Sequence, residues 1–361
     1  MGSQWSKSRA AEWYDSVGWL RGCNYMPANC ANRIDMWQNL GLEEHTAWAA
    51  EELALAHRLG FNSVRLILEF TVWREEHDTF FDNVDRYLAL CDENKINVML
   101  TVGNDCVTPK TEHWREEHVG VQPCDWGYHG GKKYSPHQSH DLVGFHVLDA
   151  PETRDLYFDF VRESIERYRN DSRVVMWDLY NEPGNVNRGD MTLKNLPIMF
   201  EIARGIDPIQ PLTVGIYNGR NTASCNEFCF KNEDVISYHC YGTIEENVRY
   251  IRELKSFERP IINSEWLARP IGSTIQDLFP FFYAQNVSCY MWGFVAGRYQ
   301  TYEPYNATWE RYERGELRDF DFRLWYHDLY RPSHRPYDPK ETELIRRICD
   351  LADDDMKKKK T

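Results

Sequence analysis

The chain has 361 residues, of which 42% are hydrophobic and 14% aromatic, and its formal net charge is −14. This length suits one large α/β domain, and the apolar fraction is sufficient for a sizeable core, which excludes a disordered protein. Contacts with phosphate backbones need a basic surface, so the acidic balance excludes nucleic acid as a partner. The many Trp and Tyr residues favour flat surfaces in a cleft, where sugar rings or bases can stack, although each single ring could equally belong to the core.

The sequence carries no sign of a membrane or export segment. The opening stretch MGSQWSKSRAAEWYDS lacks the apolar region of a signal peptide, and no apolar run approaches the roughly 18 residues that a membrane span needs. Ten Cys residues occur without a C-x-x-C pair or regular spacing, which is typical of reduced, buried thiols. These features predict a cytoplasmic protein with no membrane partner; a secreted form whose signal has been removed is the alternative.

Short apolar runs and longer amphipathic segments alternate along the chain. The runs rich in Val, Ile and Leu resemble strands buried on both faces, and they span residues 19–25, 61–68, 96–103, 173–180, 211–217, 235–241, 260–265 and 287–294. Segments such as 81–95 and 152–171 carry apolar residues at helical spacing. Strands that alternate with helices in this way predict a single (β/α)8 TIM barrel. A doubly wound open sheet is the second choice, but the first turn lacks the G-x-G-x-x-G of that fold.

One domain is expected to account for nearly the whole chain. No internal repeat or linker divides the sequence, so residues 1–352 are predicted to form the barrel and residues 353–361 a charged, disordered tail. Two connections are unusually long, namely 104–151 after the third strand and 295–337 after the eighth. Because the loops after the strands form the functional face of a barrel, both loops are expected to shape a pocket.

Polar residues occur where the apolar runs of several strands end. They are Arg65, Asn181, Glu182, His239, Tyr241, Glu265 and Trp292. In the stretch WDLYNEPGN, Pro183 removes a ladder donor and Gly184 permits a sharp turn, which delivers Glu182 to the barrel mouth. Two opposed carboxyls at such a mouth are what glycoside hydrolysis requires, because one must donate a proton while the other is ionised.

These motifs resemble those of glycoside hydrolase clan A, the retaining (β/α)8 glycosidases that include families 2 and 5. WDLYNEP and PIINSEW are similar to the signatures that end strands 4 and 7 in the clan, and FNSVRL, HCY and YMWG match further positions in the same order. The resemblance implies that Glu182 is the acid/base, Glu265 the nucleophile and Trp292 a sugar platform. The segments GCNYMPA, WGFVAGRYQT and LWYHDLYRPSHRPYD are most similar to a family-5-like bacterial group often labelled cellulase or xylanase.

Each assignment has a structural alternative. Glu182 could be a solvated turn carboxylate, Glu265 a member of a buried ion pair, and Arg65 the partner of a core acid. His239 and Tyr241 could be core side chains with satisfied hydrogen bonds. Further pocket candidates are Asn24, Asp105, Trp126, Trp266 and Arg298. No zinc-ligand spacing, phosphate-binding loop or nucleophile elbow occurs, so neither a metal nor a cofactor is expected.

The sequence therefore predicts a retaining β-glycosidase that hydrolyses β-linked oligosaccharides. Long aromatic loops favour a pocket-like site that removes terminal sugars. An endo-acting glucanase, mannanase or xylanase with an open cleft is the first alternative. A carbohydrate-binding barrel without activity is the second, and the presence of both carboxyls argues against it. The pattern does not specify the sugar, its linkage or the oligomeric state.

Overall fold

Parallel strands form the centre of the fold. A computed structural model describes residues 3–112, 114–124, 135, 141–219 and 221–359. In these ranges the barrel strands are β1 (Arg21–Asn24), β2 (Ser63–Ile67), β3 (Asn97–Thr101), β4 (Val174–Asn181), β5 (Leu212–Gly215), β6 (Ile236–His239), β7 (Ile261–Trp266) and β8 (Ser288–Trp292). They lie in the order β5-β4-β3-β2-β1-β8-β7-β6, and paired neighbours run parallel. A parallel bridge between Ile216 and Tyr238 joins the two outer strands, which confirms the predicted (β/α)8 barrel and excludes the open sheet.

Helices surround the strands. Within the described residues they are α1 (Lys7–Val17), α2 (Arg33–Trp37), α3 (Leu42–Leu59), α4 (Phe70–Glu75), α5 (His77–Glu93), α6 (Pro151–Tyr168), α7 (Leu196–Ile206), α8 (Ala223–Asn232), α9 (Ile244–Leu254), α10 (Ile275–Gln285), α11 (Asn306–Glu313) and α12 (Pro339–Lys359). Short 3-10 helices span Val147–Asp149, Gly189–Met191, Lys255–Phe257 and Arg269–Ile271. The two segments predicted as amphipathic helices form α5 and α6 and bury their apolar stripes. No helix in this part of the chain is long and apolar enough to cross a bilayer.

Apolar side chains pack on both faces of the barrel wall. Val64 on β2, Leu88 on α5 and Phe160 on α6 belong to a large cluster between strands and helices. A smaller cluster fills the barrel towards the N-terminal ends of the strands and includes Ala10 of α1; its members are Ala10, Leu20, Met99, Val175, Met176, Val235, Ile262 and Tyr290. The strands are therefore buried on both sides, which explains why their apolar residues run without alternation. The C-terminal ends of the strands are left for polar residues.

The last helix extends through the segment predicted to be a disordered tail. Helix α12 continues to Lys359, so residues 353–359 are helical. Asp353 pairs with Arg21, whose side chain is only 4% exposed, and the hydroxyl of Tyr283 donates to the carboxylate of Asp355. Met356 packs against Gly18, where a Cβ atom would lie 2.8 Å from its sulfur. These contacts with β1 and α10 order a segment that composition alone predicts to be solvated.

We expect the substitution Gly22→Ala to destabilise the barrel. An added Cβ on Gly22 would lie 1.6 Å from the carbonyl oxygen of Ser63, so β1 and β2 could not keep their pairing. The free energy of unfolding, measured by denaturant titration, should fall by about 3 kcal/mol or more. Gly205→Ala is the control, because Gly205 lies inside α7 with nothing within 4 Å of its Cβ position. That variant should gain roughly 0.5–1 kcal/mol. Equal stability of the two variants would contradict the packing described here.

Candidate active site

The C-terminal ends of the strands surround a cavity of about 360 Å³. The residues predicted from the sequence that line this cavity are Asn181, Glu182, His239, Tyr241, Glu265 and Trp292. Arg65 lies beneath it with a fully buried side chain that contacts Glu265. The barrel thus brings together the polar residues that end β2, β4, β6, β7 and β8, as the positions of the motifs predict.

Arg65 makes the densest set of contacts in the site. Its Nη1 donates to Glu265 Oε1 at 2.8 Å and to Asn24 Oδ1 at 2.7 Å. Its Nε and Nη2 both donate to Asp178 Oδ2, at 2.9 and 2.6 Å, and Nη2 also donates to Asn181 Oδ1 at 2.6 Å. Because water does not reach the guanidinium, its charge is balanced by two carboxylates inside the barrel.

The carboxyl of Glu265 is surrounded by donors. The Tyr241 hydroxyl donates to Oε2 at 2.8 Å, and His239 Nδ1 lies 3.4 Å from the same oxygen. Burial raises the pKa of the Glu265 carboxyl, and the negative charge of Glu182 acts in the same direction. His239, Arg65 and Tyr241 lower the pKa and so oppose this effect. The negative charge of Glu182 therefore opposes the ionisation of Glu265, while the three donors favour it.

Glu182 is held in an unusual backbone conformation at the end of β4. Its φ of 49° lies in the left-handed region, which costs a residue other than glycine about 1–3 kcal/mol. Its backbone N–H donates to the Gly215 carbonyl at 2.7 Å, and its Oε1 lies 2.8 Å from His239 Nδ1. The Cys106 thiol, at 3.0 Å, and the Asn185 amide both donate to Oε2. These contacts turn the carboxyl towards the cavity and fix both of its oxygens.

Asp105, which the sequence analysis includes among the pocket candidates, anchors the loop after β4 and does not line the cavity. Its Oδ1 accepts hydrogen bonds from Arg188 Nε and the Tyr180 hydroxyl, both at 2.8 Å. Its Oδ2 accepts from the Gly184 backbone at 2.6 Å and from the Thr192 hydroxyl. The side chain is fully buried, so Asp105 fastens the loop that begins at the end of β4.

Three other pocket candidates, all among the described residues, do not line this cavity. Trp266 is 1% exposed and packs on Phe279 of α10, because successive side chains of a strand point to opposite faces and Glu265 takes the inner one. Arg298 is partly exposed, donates to the Asn29 carbonyl and does not line the cavity. Asn24 contacts the buried side of Arg65 and donates to the backbone of β7 and β8. Trp126 lies outside the described residues.

Several cavity residues do not appear among the sequence-based predictions. Tyr217 follows β5 and Cys106 follows β3. Both therefore lie just after a strand, as Glu182 does, and the same criterion could have identified them. Tyr299 and Tyr305 come from the long loop after β8, and no periodicity in that loop indicates which of its aromatic residues turn inwards. Arg33, which opens α2, also lines the cavity and pairs with Glu69.

One group of side chains in the described part of the chain has the spacing of a metal site. Glu182, His239 and Glu265 each offer an atom within 4.8 Å of the others. The same carboxylate oxygens accept hydrogen bonds from Cys106, Tyr241 and the permanently charged Arg65. A metal ion bound here would be repelled by the positive charge of the nearby Arg65 guanidinium. These residues therefore fit a hydrogen-bonded pair of carboxyls better than a metal centre. The expectation that no metal or cofactor takes part remains a prediction.

The fold and the site together define a class of enzyme. A (β/α)8 barrel with two facing carboxyls at the C-terminal ends of its strands has the arrangement of a glycoside hydrolase. Residues 80–320 match the sequence model of the family described as "Glycosyl hydrolases family 2, TIM barrel domain". The match covers more than half of the chain, which therefore belongs to this family of glycoside hydrolases. The assignment to clan A is confirmed. A comparison with curated protein sequences found no match.

Solved structures of glycoside hydrolases share the fold at low sequence identity. The exo-β-1,4-mannosidase Op5Man5 from Opitutaceae bacterium strain TAV5 has a TM-score of 0.58 and 16% identity, with 93% of the present chain aligned to 60% of that protein. A family 5 mannosidase from Rhizomucor miehei has a TM-score of 0.57 and 12% identity, with 94% of each chain covered. The endo-β-1,4-mannanase from Thermotoga petrophila has a TM-score of 0.51 and 16% identity, with 94% of this chain aligned to 78% of that one. At these identities the likeness shows a common fold.

The Asp105–Arg188 pair should contribute strongly to stability. Both side chains are fully buried, so Arg188→Met would leave the Asp105 carboxylate without its cation. The free energy of unfolding should fall by about 3–5 kcal/mol in chemical denaturation. Arg323→Met is the matched control, since Arg323 pairs with Asp321 on the surface with its side chain 92% exposed, and no measurable change is expected. A similar loss in both variants would show that burial of the pair has no special effect.

Proposed function

We propose that the protein is a retaining β-glycosidase in which Glu265 is the nucleophile and Glu182 the acid/base. The observation that carries this proposal is the approach of the two carboxyls, which have oxygen atoms within 4.8 Å of each other. Retaining glycosidases separate these groups by about 5–5.5 Å, whereas inverting enzymes leave about 6.5–9.5 Å for a water molecule. The short separation supports direct attack by a carboxylate on the sugar.

In the first step Glu265 attacks the anomeric carbon while Glu182 protonates the leaving oxygen. The hydrogen bonds from Arg65 and Tyr241 favour the ionised form of Glu265 that attack requires. Asn181 is proposed to bind a sugar hydroxyl beside the scissile bond, a contact that strengthens as positive charge develops on the ring. The product of this step is a glycosyl ester on Glu265.

In the second step water replaces the ester oxygen. Glu182, now a carboxylate, takes a proton from the water as it attacks the same carbon. His239 Nδ1 lies 2.8 Å from Glu182 and 3.4 Å from Glu265, so it contacts both carboxyls. Two inversions at one carbon restore the starting β-configuration.

We propose that the site accepts the terminal sugar of a β-linked oligosaccharide. The volume of the cavity, about 360 Å³, lies near the lower end of the range for ligand pockets, which is about 300–1,000 Å³. Trp292 and Tyr305 line it and offer ring faces for a sugar to stack on. β-1,4-linked manno-oligosaccharides are the first substrates to test, because the structural neighbours include named mannosidases and mannanases. The endo-acting alternative predicts oligosaccharides rather than monosaccharide as the first product.

The two carboxyls should respond differently to removal. Glu265→Ala should abolish turnover of every substrate, because no group remains to attack. Glu182→Ala should slow natural glycosides by about 10²- to 10⁴-fold, yet dinitrophenyl glycosides, whose leaving group needs no proton, should still form the ester. Azide needs no deprotonation, so it should restore turnover of Glu182→Ala and give a β-glycosyl azide, which proton NMR identifies.

Glu245→Ala is the control for these variants, since Glu245 is an exposed acid at the start of α9 outside the cavity, and its kinetics should match the unchanged protein. An α-azide from Glu182→Ala, together with activity in Glu265→Ala, would reverse the assignment. If neither Glu182→Ala nor Glu265→Ala lost activity, the proposed function would be wrong.

Tyr241→Phe should move the acid limb of the pH profile. The Tyr241 hydroxyl donates to Glu265 at 2.8 Å and stabilises its ionised form, so removing it raises the pKa of Glu265. The acid limb of kcat/KM should shift upwards by about one pH unit. Tyr238→Phe is the control, because its hydroxyl donates to Asn247 on the outer side of β6 and contacts neither carboxyl. An unmoved limb in Tyr241→Phe would show that this hydrogen bond does not control the ionisation of Glu265.

A further inference from the structure

The thiol of Cys106 has no part in the steps above, yet it touches the proposed acid/base. Its Sγ lies 3.0 Å from Glu182 Oε2, and Cys106 lines the catalytic cavity. Cys106 is half-buried and Cys124 is exposed, whereas the other eight cysteines are buried. Cys106 is therefore distinguished from the thiols of the core by both its exposure and its contact.

The ends of β3 and β4 fix the position of this thiol. Asn104, just after β3, forms a parallel bridge with Asn181 at the end of β4. The backbone N–H of Cys106 donates to Asn104 Oδ1 at 3.1 Å, and Asn181 Nδ2 donates to the same oxygen at 2.8 Å. The backbone of Cys106 is thus held by the strand ends that also carry Glu182.

The neighbouring amides determine where the thiol proton points. Asn185 Nδ2 lies 3.3 Å and Asn181 Nδ2 3.6 Å from Sγ, and amide N–H groups can only donate, so the sulfur accepts from them. The single proton of the thiol is left for Glu182 Oε2. Burial, and then the negative charge of Glu182, raise the pKa of the Cys106 thiol, so it keeps this proton at neutral pH.

We propose that Cys106 is a positioning residue for the acid/base, a role that rests on the proposed function. Its S–H donates to Glu182 Oε2 and stabilises the carboxylate that remains once the proton has passed to the leaving oxygen. The donor stays in place while Glu182 acts as a base towards water. No bond to sulfur forms or breaks. The substitutions of Cys106 keep every other titratable or charged group that lines the cavity, and Arg65, which contacts Glu265. Besides Glu182, the groups in the cavity lining are Arg33, Tyr217, His239, Cys240, Tyr241, Glu246, Tyr250, Glu265, Tyr299 and Tyr305.

The test is the alkaline limb of kcat/KM, measured on an aryl β-glycoside with a leaving group that needs a proton. This limb reports the loss of the proton from Glu182. Cys106→Ala removes a donor to the carboxylate, so the limb should move upwards by about half a pH unit, a small shift because a thiol is a weak donor. Cys106→Ser keeps a donor of greater strength, so its limb should stay in place or move downwards. Cys124→Ala is the matched control and should leave the whole profile unchanged.

Two results would overturn the inference. The first is a fall in activity by the same factor at every pH in both Cys106→Ala and Cys106→Ser, which is the result expected of packing alone. The second is a profile of Cys106→Ala that coincides with that of the unchanged protein. Failure of the proposed function is distinguishable from either, because the unchanged protein itself would then turn over no β-glycoside, and the role of Cys106 would fall with it.

Discussion

The buried guanidinium of Arg65 is the constraint on which the rest of the active site depends. Its side chain is 0% exposed, so its charge cannot be hydrated and has to be balanced within the protein. Asp178 on β4 supplies one carboxylate and Glu265 on β7 supplies the other. One cation therefore links strands from different sides of the barrel and sets the place of the Glu265 carboxyl. With an uncharged residue at this position, both acids would be buried without a counter-ion.

The second requirement is a rigid frame for Glu182, whose backbone is strained. The left-handed conformation at this residue persists because the loop that follows is held at its beginning and further along. Asp105, from the loop after β3, binds the Gly184 backbone and Arg188, and Arg188 in turn pairs with Asp149. Loops after neighbouring strands thus stabilise each other around Glu182. The strain at the site is offset by contacts that lie outside the cavity.

Much of the barrel follows from the sequence because strands buried on both faces leave an unbroken apolar pattern, and polar residues at their ends stand out against it. Successive side chains of a strand point to opposite faces, so Trp266 faces α10 because its neighbour Glu265 faces the barrel interior. In a strand buried on both sides, the apolar pattern does not show which of two neighbouring residues faces inwards. Asp105 follows a strand as Glu182 does, but its partners come from a loop whose path the local pattern does not encode. Tyr305 enters the cavity from the loop after β8 for reasons of tertiary packing alone. The helical structure of residues 353–359 is likewise not predictable from local sequence, because contacts with distant elements order this highly charged segment.

The pairing of β1 with β8 and the contacts of α12 have a consequence for synthesis on the ribosome. β1 is made before β8, so one of its edges stays uncovered until β8 has been made, and Arg21 meets Asp353 later still. Until then the first strands present an unpaired edge of the kind that invites association with other chains. Closure of the barrel is therefore a late event that depends on contacts between the two ends of the sequence, which are slow to form.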